Sequence, residues 1–88
     1  MTRAEIARRI TNFIREAFLD GDPLGELNEK TPLLEWGVLN SINIVHLISF
    51  IRTEFHVVVP PLKINAQNLK DIQSISALVA ENANFLAI

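Results

Sequence analysis

Cysteine is absent from this 88-residue chain. That removes a disulfide framework, a thiolate nucleophile and any cysteine-based zinc site. Histidine is nearly absent as well: His46 and His56 are too few for a histidine-rich metal site. No apolar run approaches the roughly 20 residues that a membrane-spanning helix needs. Charge of one sign is also lacking. Eight basic and ten acidic residues leave a formal net charge of −2, and the basic side chains form no dense patch. Neither a nucleic-acid nor a membrane partner is expected from such a balance. The start, Met1-Thr2-Arg3-Ala4-Glu5, leads into an amphipathic pattern and not into the apolar stretch of a signal peptide. A free-standing, cytoplasmic protein, monomeric and without a metal, is the expectation.

What the chain has is apolar content. Hydrophobic residues make up 49% and the mean hydropathy is +0.25, enough for one core and too much for a disordered segment. Residues 1–88 are therefore expected to form a single domain. From Thr2 to Leu19, Ile6, Ile10, Phe13, Ile14 and Ala17 recur on one stripe, with Arg8, Asn12, Arg15 and Glu16 opposite. This spacing predicts an amphipathic helix, opened by a capping box of Thr2 with Glu5 and closed by Asp20-Gly21-Asp22-Pro23. The segment from Asp20 to about Leu39 is a long connection. Its Leu27, Leu33, Leu34 and Trp36 carry too much apolar area for a solvated linker, so it is expected to be pinned to the core, Trp36 included.

A second helix is predicted from about Ser41 to Phe55, with Asn40 as N-cap and Ile44, Leu47, Ile48, Ile51 and Phe55 facing inward. His56-Val57-Val58-Val59-Pro60-Pro61 has strand propensity, but nothing can pair with it, and an extended connector is expected. A short helical turn between Lys63 and Leu69 and a last helix over about Asp71–Asn82 complete the pattern. The apolar end Phe85-Leu86-Ala87-Ile88 either packs back or frays. The predicted fold is all-α, a small bundle of three to four helices with a long first loop.

Ser41 falls in the first turn of the second helix. Unpaired backbone N–H groups and the positive end of the helix dipole make that place favourable for an anion such as a phosphodiester. On position alone, capping is the simpler account, since serine is common at helix starts. A serine hydrolase is disfavoured. His46 lies about 140° around the helix from Ser41 and His56 about four turns further along, so neither is placed as its base. With Ile42 set at 0°, the core sector centres near about 190°, while Val45 falls at about 300° and Phe50 at about 80°. Ile42, Val45, His46 and Ser49 thus form a partly apolar outer face beside Ser41, a candidate partner-docking surface. Packing against the long loop is the competing account of these apolar residues, and the favoured one for Phe50. The arginines of the first helix, Arg3, Arg8, Arg9 and Arg15, are read as a solvated face, and the two histidines as solvated.

The stretch Gly37-Val38-Leu39-Asn40-Ser41-Ile42 resembles the glycine-hydrophobic-x-Asp-Ser-Leu motif that opens the second helix of acyl and peptidyl carrier proteins. The resemblance continues through Asn43-Ile44-Val45-His46-Leu47-Ile48, Ile51, Glu54-Phe55 and Val59-Pro60. It also takes in the first-helix stripe, Thr31-Pro32-Leu33, and Asn68-Leu69-Lys70-Asp71-Ile72. It implies a covalent 4′-phosphopantetheine arm on Ser41, flanked by Asn40 and Ile42. The arm would supply the thiol that the chain lacks and hold an acyl or aminoacyl group as a thioester. Implied partners are a phosphopantetheinyl transferase, an acyl- or aminoacyl-loading ligase, and downstream synthase or tailoring enzymes. The chain itself would not be an enzyme.

Two departures stand out. Asn40 replaces the usual aspartate, keeping the capping oxygen and losing the charge. The second helix shows His46, Ser49, Arg52 and Thr53 where fatty-acid carriers are strongly acidic, so steering toward basic partners should be weak. That points away from housekeeping fatty-acid synthesis and toward a specialised polyketide or nonribosomal peptide pathway. The reading from another class is a helical protein-interaction domain without a prosthetic group, which would use the Ile42/Val45 face and not need Ser41.

Overall fold

Helical periodicity translates directly into helices in the computed structural model of the chain, which describes residues 2–22 and 25–82. They are α1 (Arg3–Phe18), α2 (Ser41–Phe55), α3 (Ala66–Leu69) and α4 (Ile72–Glu81), with a 3₁₀ turn over Pro61–Lys63. The fold is all-α, and no strand occurs among the described residues. The apolar end 85–88 and Pro23 lie outside the described residues.

Ile6, Ile10 and Ile14 are fully buried and pack α1 mainly against α4, which contributes Ile72, Ile75, Leu78 and Val79. Ala17, placed on this stripe by its angle, is exposed; Phe18 and Leu19 close that end of the core instead. The capping box is half formed. Thr2 Oγ1 accepts from the Glu5 N–H at 3.1 Å, but the Glu5 carboxylate turns to Arg8 and Arg9 rather than back to Thr2. Arg3 and Arg8 are exposed as expected, whereas Arg9 and Arg15 depart from the solvated face. Arg9 reaches Glu54 of α2 at 2.6 Å as well as Glu5, and Arg15 lies 3.6 Å from Asp22. A long flexible stem lets an arginine lie along apolar surface and still find a carboxylate.

α2 buries Leu47, Ile51 and Phe55, with Ile44 and Ile48 half-buried beside them. Phe50, expected against the loop, has aromatic partners on the helices. Its ring stacks on Phe13 of α1, with centroids 4.2 Å apart and 12° between planes, and meets Phe55 edge-on at 5.9 Å. Stacked rings gain beyond the area they bury, and this pair joins α1 to α2. α2 ends at His56, whose φ of 56° turns the chain; its N–H donates to the Arg52 carbonyl at 3.0 Å. The following segment is extended without pairing, as expected. Val57 and Val59 are buried and Val58 faces solvent.

The long loop is pinned to the core by Leu27, Thr31, Leu33, Val38 and Leu39, all buried. Asp22 organises its start: one carboxylate oxygen accepts from the Glu26 N–H and the other from the Leu27 N–H, both at 3.1 Å. Trp36 is not a core anchor. It is 57% exposed and only edges a small cleft of about 80 Å³ with Leu19, Leu27 and Val38. The turn that closes through Trp36 N–H to the Pro32 carbonyl sends Leu33 inward and the indole outward.

Candidate functional site at the start of α2

Three backbone hydrogen bonds bring the loop, the α3–α4 junction and the start of α2 together. The Leu33 N–H donates to the Lys70 carbonyl at 2.8 Å, and the Leu33 carbonyl accepts from the Leu39 N–H at 3.1 Å. The Gln73 N–H donates to the Glu29 carbonyl at 3.0 Å. Gly37, with φ of 75°, takes the left-handed turn that lets Val38 and Leu39 enter the core. With those two side chains inside, Asn40 and Ser41 emerge at the surface, both exposed.

Asn40 is the N-cap, in extended backbone, and its Oδ1 accepts from the Asn43 N–H at 2.9 Å. Its carbonyl accepts the first helical bond, from the Ile44 N–H at 2.8 Å. Asn43 answers in the other direction: its Nδ2 donates to the Val38 carbonyl at 2.8 Å. Ser41 stands between these bonds as the first residue of α2. Among the described residues, no hydrogen bond engages its hydroxyl, its own N–H or that of Ile42. No acidic residue lies in this first turn. An exposed hydroxyl, two open N–H groups and a first turn without acidic residues fit a phosphodiester on Ser41.

Of the remaining predicted positions, Ile42 is 70% exposed and Val45 66%, and no loop covers them. His46 and Ser49 are exposed on the same side of α2, so the four form one outward face. Arg52 continues it and is exposed as well. His56 sits at the opposite end of α2 as its C-cap, remote from Ser41. Among the described residues, no group of three or more His, Asp or Glu side chains is placed to hold a metal. No helix among them is long and apolar enough to cross a membrane. Asn43 and Asp22 were not singled out from the sequence. The asparagine pair three residues apart was a readable capping signal; the partners of Asp22 are backbone groups that no side-chain pattern announces.

No family model matches the chain. The probable acyl carrier protein PigG of Serratia sp. (strain ATCC 39006) is 37% identical over 71 residues, which are 81% of this chain and 80% of that protein. The chain belongs to the acyl carrier protein family. A chain in the crystal structure of an FAD-dependent dehydrogenase superposes on this carrier with a TM-score of 0.73 at 30% identity, over 78% of this chain and 96% of that one. The matched chain is therefore shorter than the carrier itself. The small all-helical bundle described above is consistent with that family.

Proposed function

We propose that Ser41 carries a 4′-phosphopantetheine arm and that the chain presents an acyl or aminoacyl group to a series of biosynthetic enzymes in the cytoplasm. The observation that carries this reading is Ser41 itself: exposed, without a partner for its hydroxyl, and set among open N–H groups at the start of α2 in a member of the carrier family. The arm, when bound, supplies the thiol that holds the cargo as a thioester. The chain's own residues provide the attachment and the recognition. Asn40 caps the helix, Ser41 offers the hydroxyl, and Ile42, Val45, His46 and Ser49 form the face that partner enzymes touch. The chain acts as carrier and not as catalyst: His46 lies around the helix from Ser41, and His56 caps the far end.

The partners in this reading are a phosphopantetheinyl transferase, a loading ligase and tailoring enzymes. A chain of this size and fold in the crystal structure of an FAD-dependent dehydrogenase supports a flavoenzyme as one of them. A thioester acidifies the C–H next to its carbonyl, so a flavin can take two electrons and two protons from the tethered group and leave it unsaturated. The non-acidic docking face of α2 supports a specialised polyketide or nonribosomal peptide pathway.

Mass spectrometry tests the reading. Co-expression with a transferase of broad specificity adds one phosphopantetheine mass to the wild type and none to Ser41→Ala. An unmodified wild type with every transferase tried would leave the interaction domain without a prosthetic group as the better account. For the flavoenzyme, the loaded carrier loses two hydrogens from its tethered group as the flavin absorbance bleaches.

A further inference from the structure

The two hydrogen bonds of Asn43 enclose Ser41. Its main-chain N–H is held by Asn40 Oδ1 at 2.9 Å, and its side-chain amide holds the Val38 carbonyl at 2.8 Å. Val38, Asn40 and Asn43 therefore form a closed turn around the serine, tied on both sides. Val38 is buried, so the turn is fixed to the core at that end, and Asn43 is partly buried against it. The same device occurs a second time. Asn65 caps α3 by accepting from the Asn68 N–H at 3.0 Å, and Asn68 Nδ2 donates to the Lys63 carbonyl at 2.8 Å. The pattern thus opens two of the four α-helices among the described residues, α1 and α4 being capped by Thr2 and Asp71 instead. Only at α2 does it enclose an exposed serine; the residue after Asn65 is Ala66.

We infer that Asn43 is a positioning residue for arm transfer, holding the Val38–Asn43 turn so that the Ser41 hydroxyl is presented outward in one orientation. The inference rests on the arm-carrying role of Ser41 proposed above. In the step it serves, Ser41 Oγ attacks the pantetheine-side phosphorus of the coenzyme A pyrophosphate. The Oγ–P bond forms and the P–O bond to the nucleotide breaks. The leaving group is adenosine 3′,5′-bisphosphate, and the serine proton goes to a base of the transferase. Asn43 touches none of the reacting atoms. Its contribution is geometric: a nucleophile on a loosened turn reaches the in-line orientation less often, which lowers turnover and not encounter.

The duplicated device supplies the control. Asn43→Ala and Asn68→Ala each delete one amide-to-carbonyl bond of 2.8 Å from the same kind of turn. If the bond matters only to folding, the two variants differ in stability but share the wild-type kcat. If it positions Ser41, Asn43→Ala alone lowers kcat for arm transfer, by about 5- to 10-fold. That is the range expected when the roughly 1 kcal/mol of one hydrogen bond is drawn from the transition state. KM for the carrier stays near the wild-type value, because Ile42, Val45, His46 and Ser49 are untouched. Arm transfer is followed on the full chain with coenzyme A and a broad-specificity transferase, and thermal unfolding of each variant gives its loss of stability.

Hydrogen exchange adds a readout independent of the transferase: the main-chain amide at position 43 exchanges faster in Asn43→Ala than in the wild type, while those of α4 are unchanged. Equal kcat for the two variants at equal loss of stability overturns the inference, as does a rise in KM with kcat unchanged. A wild type that takes no arm is a different result, because it refutes the carrier reading itself.

Discussion

Replacing Val45 with aspartate tests the docking face more sharply than removing Ser41 does. Val45 is 66% exposed and Ile42 70%, so neither holds the bundle together. Val45→Asp should change folding stability by no more than about 0.5 kcal/mol, the usual range for a surface site. Partner binding should respond very differently. Full burial of such a side chain is worth about 1.5–3 kcal/mol, and about two-thirds of that area is still open in the free protein, leaving roughly 1–2 kcal/mol for a partner to gain. An aspartate in an apolar contact adds the cost of desolvating its charge. The sum of about 2–3 kcal/mol corresponds to a roughly 30- to 140-fold rise in KM for arm transfer at 1.4 kcal/mol per tenfold. Turnover should hold near the wild-type kcat, since Val45 lies a turn beyond the serine. The assay is steady-state transfer of a fluorescent coenzyme A analogue, paired with a thermal melt by circular dichroism. Wild-type KM should change less than about twofold between about 0.05 and 0.5 M salt, because apolar contacts are not screened. An unchanged KM in Val45→Asp, or a melt lower by about 5 °C or more, would show that this face is not the docking surface described.

Other expected outcomes follow from the same geometry. Phe50→Ala should destabilise the bundle by about 2–3 kcal/mol, less than a fully buried phenylalanine because Phe13 and Phe50 are only partly enclosed. A double-mutant cycle with Phe13→Ala in urea should return about 1 kcal/mol of coupling for the stacked pair; none would mean the stack is incidental. Asn40→Asp should stabilise the unmodified protein by about 0.3–1 kcal/mol through the helix dipole. The gain should shrink once Ser41 bears a phosphodiester, which shares the same few N–H groups; equal gains in both forms by thermal melting would contradict that. Hydrogen bonds from Arg8 and then Arg9 lower the Glu5 pKa from 4.5 to about 2. A lowered carboxyl pKa stabilises above the unfolded value, so this contribution is complete above about pH 4.5 and lost as pH falls toward about 2. Glu5→Gln should flatten that part of the acid-unfolding curve, and high salt should weaken the wild-type slope.

The helices were legible because burial imposes a period. Ile6, Ile10 and Ile14 on α1, Leu47, Ile51 and Phe55 on α2, and Ile72, Ile75, Leu78 and Val79 on α4 recur at helical spacing, and each lies in the core. The loop has no period, so its side chains could be ranked only by size. Size favoured Trp36, yet the chain buries Leu33, Val38 and Leu39 and leaves the indole outside, because the direction of a loop residue is set by turn geometry and not by its area. The same blindness hid Asp22, whose carboxylate is spent on two backbone N–H groups. Phe50 was legible as lying off the core sector. Its partner was not, since the contact with Phe13 joins residues far apart in sequence. At the site, Asn40, Ser41 and the exposed face were readable from helix phase. The return bond from Asn43 to Val38 was not, although the repeated Asn-x-x-Asn spacing at Asn65 and Asn68 marks it.

On the proposed reading, the distribution of charge leaves recognition at this site to shape. The strongest ionic groups neutralise one another away from Ser41: Glu5 takes Arg8 and Arg9, Arg9 reaches Glu54, and Arg15 pairs with Asp22. What remains beside the serine is a neutral cap at Asn40 and a face whose exposed side chains are Ile42, Val45, His46 and Ser49, with Arg52 beyond. A carrier with an acidic second helix attracts any basic enzyme surface over about a Debye length before contact. On the carrier reading proposed above, this face offers no acidic field, so a productive complex depends on how well a partner fits two apolar side chains, Ile42 and Val45. A mismatched enzyme then gains nothing from long-range attraction and leaves before transfer. In that reading the neutral cap and the apolar face act in one direction, restricting the carrier to enzymes built for it.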